Sequence, residues 1–166
     1  MSDVTVRLAT PSDLPGIQEI YNEAVKTTTA TYDYEPRSPE YRQRWFEQHQ
    51  ADGYPVFVAV DAAVRVVGWS ALNKYHDRVG YRFTSENSVY IAADQRGRGL
   101  GRLLLAPLIA AARQRGLHAL IAAIDAQNTA SIRLHAAFGF EQVGLFKEVG
   151  FKFDRWLDVL YMELRL

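Results

Sequence analysis

Apolar and polar positions alternate over Val4 to Leu8, the period of a strand with one buried face. Thr10-Pro11-Ser12-Asp13 then carries the marks of a helix start: a capping hydroxyl, proline at the first helical position and an acid at the third. Leu14, Ile17, Ile20, Tyr21, Ala24 and Val25 recur at helical spacing. Thr27 to Pro36 has no period and predicts a loop, and Ser38-Pro39 opens a second helix reaching to about Gln50. Val56 to Val60 and Val64 to Leu72 predict an antiparallel hairpin turning at Asp61-Ala62-Ala63. Asn73 to Ser85 is polar and aromatic without a period, and Ser88 to Ala92 predicts a short strand. Leu100 to Gln114 predicts an amphipathic helix, with Leu100, Leu103, Leu104, Leu108, Ala111 and Ala112 on one face. Ala119 to Ile124 is a continuous apolar strand. A helix from about Thr129 to Phe138 stops at Gly139, and Phe140 to Phe146 and Trp156 to Leu164 supply the last strands. The order β-α-α-β-β-β-α-β-α-β-β predicts an α+β fold. Its sheet is mixed and mostly antiparallel, with helices on both faces and a right-handed βαβ crossover in the middle.

With 166 residues the chain fits one domain over 1–166. Its apolar share of 48% and charged share of 23% supply a core and exclude the disordered class. Nineteen basic residues balance nineteen acidic ones with no basic stripe, which argues against nucleic acid as a partner. The absence of cysteine removes disulfides, thiolate zinc sites and a cysteine nucleophile, and fits a reducing compartment. Met1 to Leu8 lacks the apolar stretch of a signal peptide, and no apolar run reaches the length of a membrane span. The expected location is the cytoplasm, away from membranes. Four scattered histidines form no H-E-x-x-H, so no metal is expected.

Gln95-Arg96-Gly97-Arg98-Gly99-Leu100-Gly101-Arg102 lies between a predicted strand and a predicted helix. Glycines let backbone approach a ligand, the first helical turn offers unpaired N–H groups, and arginines present forks suited to phosphate. Strand, loop and helix stand in the order an anion site requires. A dinucleotide fold shares that order, but the spacing here is G-x-G-x-G and the loop follows an antiparallel hairpin. A Walker sequence is missing as well.

Arg96-Gly97-Arg98-Gly99-Leu100-Gly101 resembles the R/Q-x-x-G-x-G/A pyrophosphate loop of the GNAT superfamily of N-acetyltransferases. Asn128, Ser131, Leu134, Gly139 and Phe140 fall on that superfamily's second signature, and the element order is similar over nearly the whole chain. Thr84 to Ile91, His135 and the ending Gly150 to Val159 look like the phosphinothricin and methionine sulfoximine/sulfone acetyltransferase group. The resemblance implies acetyl-CoA as co-substrate, a small amino-acid-like amine as acceptor and a homodimer.

It also implies roles. Glu86 becomes the general base, directly or through a water. His135 stands where most of the superfamily has tyrosine, and is either the acid that protonates the leaving thiolate or a structural histidine. Val89, Tyr90 and Ile91 line the thioester on a strand that splays from its neighbour, and Arg96 to Arg102 hold the pyrophosphate. Asn128 and Ser131 meet the pantetheine arm, Asn128 also serving as a helix cap. For the acceptor, Arg78 and Arg82 are cation candidates for a carboxylate, and Tyr75, Tyr81 and Phe83 can wall the side chain, with Tyr32 and Tyr34 closing over it. His76 stands near where the group has Arg or Lys, which leaves the acceptor open. Rival acceptors are a peptide N-terminus, a polyamine or an aminoglycoside, and the rival class is a non-catalytic acyl-CoA-binding module.

Overall fold

Among the described residues, seven strands join in one sheet in the order β1-β2-β3-β4-β5-β7-β6. The computed structural model describes residues 4–166. The strands are β1 (Thr5–Leu8), β2 (Val56–Val60), β3 (Val66–Lys74), β4 (Thr84–Ile91), β5 (Ala119–Asp125), β6 (Glu141–Lys152) and β7 (Arg155–Arg165). Four α-helices flank them: α1 (Leu14–Thr27), α2 (Pro39–Asp52), α3 (Leu100–Gln114) and α4 (Thr129–Ala136). The predicted element order and mixed sheet are both found. Every neighbouring pair is antiparallel except β4 and β5, the two strands joined through α3.

Alternation along β3 distributes the core to two sides. Trp69 and Ala71 pack with Leu14, Ile17, Ile20 and Phe46 of α1 and α2. Leu72 packs on Leu105 and Leu108 of α3, while the Ser70 hydroxyl donates to the Leu104 carbonyl at 3.1 Å. Each face of the sheet therefore has its own apolar layer.

Local expectations shift at several places, among them the end of β6, which runs to Lys152 instead of the expected Phe146. β4 begins at Thr84, four residues before the expected Ser88, because polar side chains interrupt the apolar signal while the backbone still pairs with β3 and β5. Val64, expected at the start of β3, occupies the turn with φ 62. Leu103, expected on the buried face of α3, is 48% exposed, and Leu105 and Ile109 take its place in the core.

One irregularity positions the site. β4 and β5 share only three register pairs, Thr84↔Ala119, Ser85↔Leu120 and Glu86↔Ile121. Beyond Glu86 the two strands part. In a sheet, alternate residues direct their N–H groups to opposite neighbours, so the fork leaves backbone donors of β4 facing a gap.

Candidate active site

Two cavities meet at the fork. The larger, about 760 Å³, is a groove lined by Thr27 to Ala30, Val89 to Ile91, the glycine-rich loop, the start of α4 and Phe153 and Arg155. The smaller, about 130 Å³, is a polar passage between β4 and β5 lined by Glu86, Asn87, Ser88, Asp125 and His135. Ala30, Val89, Tyr90, Asn128 and Ser131 line both.

The groove fits an anionic, elongated ligand. Gly97 and Gly99 adopt φ 76 and 81, and nothing lies within 4 Å of where a β-carbon would stand at either. Gly99 is also the N-cap of α3, with no side chain to cover the helix end. An open cradle of left-handed glycines at a helix N-terminus suits a pyrophosphate. Gly101 differs although it lines the groove, since a β-carbon there would lie 2.8 Å from Cδ2 of Leu134. Its lack of a side chain serves the packing of α3 on α4. Leu100 is buried in the core, and Arg102 lines the groove.

The loop arginines are already engaged. Arg96 donates to Glu23 Oε2 at 2.8 Å and to the Ile91 carbonyl at 3.2 Å, and Arg98 donates to Gln95 Oε1 at 2.6 Å. Asn128 caps α4, its Oδ1 accepting from the Ser131 N–H at 3.2 Å.

Glu86 and Asn87 are successive residues of β4 and project to opposite faces of the sheet. Burial pushes the Glu86 carboxyl above its ordinary value, with no cation to oppose the shift. Tyr161 of β7 pairs with Ala123 of β5, and burial, with the Glu86 carboxylate adding to it, pushes its hydroxyl above the ordinary value. Asp125 uses Oδ1 to accept from the Gln127 N–H at 2.8 Å and leaves Oδ2 without a protein partner.

His135 lies on the Asn87 side and is 3% exposed. Its Nδ1–H donates to the Ser131 carbonyl at 2.8 Å, and its Nε2 lies 2.9 Å from Asn87 Nδ2. Burial lowers its pKa, only partly opposed by the Ser131 carbonyl. Of the two roles left open for His135, acid or structural, desolvation works against the imidazolium that the acid role would draw on.

The expected acceptor residues divide. Tyr75 stacks edge-on with Tyr81 at 5.4 Å and is half-buried, but lines neither cavity. His76, Arg78, Tyr81, Arg82 and Phe83 are exposed on the β3–β4 connection and line neither cavity. Tyr34 donates its hydroxyl to the Phe151 carbonyl, and the Tyr32 ring lies over Gly150. Both tie the loop after α1 to the β6–β7 hairpin. The hairpin's Lys152, 4% exposed, donates to the Thr28 and Thr31 carbonyls at 2.8 Å each.

Sequence reasoning gave no role in acetyl transfer to Asn87, Asp125, Tyr161 or Phe153. Asn87 had a signal only in its place beside Glu86 within Thr84 to Ile91, since the expected strand began at Ser88. Tyr161 had none, since strand order alone brings it near.

Among the described residues no group of three or more His, Asp or Glu is placed to hold a metal ion, and no helix is long and apolar enough to cross a membrane. The family model described as "Acetyltransferase (GNAT) domain" matches residues 6–161. The chain is 48% identical to the L-methionine sulfoximine/L-methionine sulfone acetyltransferase of Pseudomonas aeruginosa, over 98% of this chain and 94% of that one. It is 40% identical to the phosphinothricin N-acetyltransferase of Streptomyces coelicolor, over 98% of this chain and 96% of that one. Among solved structures, a phosphinothricin acetyltransferase from Sinorhizobium meliloti in complex with acetyl-CoA superposes with a TM-score of 0.96. That match has 38% identity and covers 100% of this chain and 89% of that one. Fork, glycine cradle and family match agree: the chain belongs to the GNAT acetyltransferases and is an acetyl-CoA-dependent N-acetyltransferase.

Proposed function

We propose that the enzyme acetylates the amine of a small amino-acid-like acceptor of the methionine sulfoximine, methionine sulfone or phosphinothricin type. The half-buried Glu86 carboxylate on the last paired rung of the fork, lining the polar passage, carries the reading. The names of the two relatives support the acceptor class.

Bound acetyl-CoA supplies an activated acyl group as its thioester. Glu86 removes a proton from the acceptor's ammonium, directly or through a water in the passage, and its raised pKa brings it closer to the working pH. The unpaired β4 donors around Val89, Tyr90 and Ile91 receive the pantetheine amides and the acyl oxygen. Gly97, Gly99 and the arginines of the loop hold the pyrophosphate, and Asn128 and Ser131 line the pantetheine arm. Tyr161, whose hydroxyl feels the Glu86 charge, flanks the acceptor. His135 supports the passage from the other face as a neutral ring.

The same reading treats the chain as one acetyltransferase domain working in the cytoplasm, where acetyl-CoA is supplied. It also pairs two copies. β6 is an edge strand, and Val143, Leu145, Val149, Phe151 and Trp156 expose apolar surface on its hairpin with β7. Sedimentation equilibrium should give twice the mass of the chain, and Trp156→Glu should shift it toward the monomer.

The deciding experiment is an acceptor screen with acetyl-CoA across amino acids, sulfoximines, sulfones, phosphinothricin, polyamines and peptides, following thiol release and product mass. Turnover on the sulfoximine, sulfone or phosphinothricin group is expected. Turnover confined to polyamines or peptide N-termini overturns the acceptor class.

A further inference from the structure

His135 is the most completely enclosed titratable ring at the fork, and both of its nitrogens are engaged. Nδ1 faces a backbone carbonyl, which can only accept, so Nδ1 carries a hydrogen. The state of Nε2 then depends on Asn87. With the Asn87 NH₂ turned toward it at 2.9 Å, Nε2 must present a lone pair and the ring is neutral. An imidazolium would need the amide oxygen there instead, with the NH₂ driven into the position now held by Oδ1. That oxygen has no protein partner. As the amide stands, its NH₂ meets Nε2 and its oxygen is left beside the polar passage, where a water can donate to it.

We infer that Asn87 is a positioning residue: by donating to Nε2 it holds His135 as the neutral Nδ1–H tautomer in a fixed orientation at the fork. The inference deepens the proposed function, because the passage it concerns is the reaction site in that reading.

The surroundings are consistent with this arrangement. From β4, Asn87 is 7% exposed and contributes no charge. From α4, the Ser131 carbonyl fixes Nδ1–H, with the Ser131 hydroxyl at 3.4 Å. The edge of the ring meets Phe140, centroids 5.0 Å apart and planes at 88°, which closes the apolar side. The charged groups facing the passage are Glu86 and Asp125. Both would favour a cation, but the two ring nitrogens are engaged by Asn87 and the Ser131 carbonyl instead. Because Asn87 follows Glu86 directly, the pleat of β4 sets the base on one face and the partner of the ring on the other.

Long-range ¹H–¹⁵N correlation on the uniformly ¹⁵N-labelled chain reads the tautomer directly, with His135→Gln assigning the signal among the four histidines. In the wild type the His135 ring should show Nδ1–H and a bare Nε2 at pH 7, and should titrate below the ordinary value of 6.5. Asn87→Asp supplies an acceptor in place of the donor. It should move the titration of the ring upward and displace the acidic limb of the kcat profile, leaving the acetyl-CoA KM unchanged. An Nε2–H or doubly protonated ring in the wild type at pH 7 overturns the inference, as does a ring unaffected by Asn87→Asp. If that variant does not fold, the wild-type spectrum still decides. The spectrum needs no turnover, so an acceptor screen that failed would sink the proposed function and leave the ring assignment standing.

Discussion

Arg96 and Glu23 form an ion pair of 2.8 Å beside the cofactor groove, joining the glycine-rich loop to the last turns of α1. The arginine that would meet a phosphate thus already has a carboxylate partner. Removing Glu23 frees the fork of Arg96 for phosphate, and removing Arg96 takes away the cation. Glu23→Gln should therefore lower the KM for acetyl-CoA, whereas Arg96→Ala should raise it about tenfold, the scale of a charge-assisted hydrogen bond. Both kcat values should stay near wild type. Initial-rate kinetics with varied acetyl-CoA check this, and a raised KM in Glu23→Gln would show the pair acting as a brace.

Glu86 should trade stability for activity. A buried carboxyl with a raised pKa favours folding when protonated, so its contribution is fully present below the unfolded value. It is lost as pH rises through the folded one. Glu86→Gln removes that penalty at neutral pH. The variant should melt at a higher temperature than wild type while its kcat falls by about 10² or more. A melting temperature that falls would mean the charge has a stabilising partner.

Asp13 should do the reverse. Both its oxygens accept from Arg7, at 2.7 and 2.8 Å, and it is 5% exposed. The Arg7 guanidinium holds its carboxyl below 3.8. The stability it contributes is present above about pH 4, its unfolded value, and is lost as pH falls through the depressed folded one. Asp13→Asn should cost about 1–3 kcal/mol at pH 7 and flatten the fall of stability below about pH 4. Urea melts at pH 7 and pH 3 measure both effects.

Two glycines of the loop should fail differently. Gly99→Ala places a methyl in open space at φ 81, so the strain falls on the cradle, and acetyl-CoA affinity should drop more than melting temperature. Gly101→Ala drives a methyl against Leu134, so melting temperature should drop first. Calorimetric titration beside thermal melts separates the two, and equal affinity losses would place Gly101 at the phosphate as well.

Val64 offers a gain. It is 70% exposed and β-branched, with φ 62 in the β2–β3 turn. Val64→Gly should stabilise by about 1 kcal/mol, the penalty a side chain carries in that region. A thermal melt that does not rise would mean the turn relaxes elsewhere.

The order of elements was readable in the sequence because periods of 2 and 3.6 change cleanly at Thr10, Ser38, Gly99 and Gly139. The glycine cradle was readable too, since glycine repeats between a strand and a helix have few other uses. What escaped depends on tertiary neighbours. The start of β4 escaped because Thr84 to Asn87 is polar: Ser85 is buried on the Asn73 carbonyl, and Glu86 and Asn87 line the passage. The close approach of Leu134 to Gly101 follows from where α4 lies beside α3, which no local pattern encodes. His135 was placed by motif register, but its tautomer rests on Asn87, forty-eight residues away along the chain.

The three rungs between β4 and β5 have a mechanical consequence. The sheet amounts to two leaves, β1 to β4 and β5 to β6, fastened at one end and open at the other, like a hinge held by a short pin. A ligand arm lying in the opening with amides of its own replaces the missing rungs and becomes, for as long as it stays, a temporary strand. Occupancy should then register as stiffness in both leaves, far from any atom the ligand touches, and departure should restore the play between them.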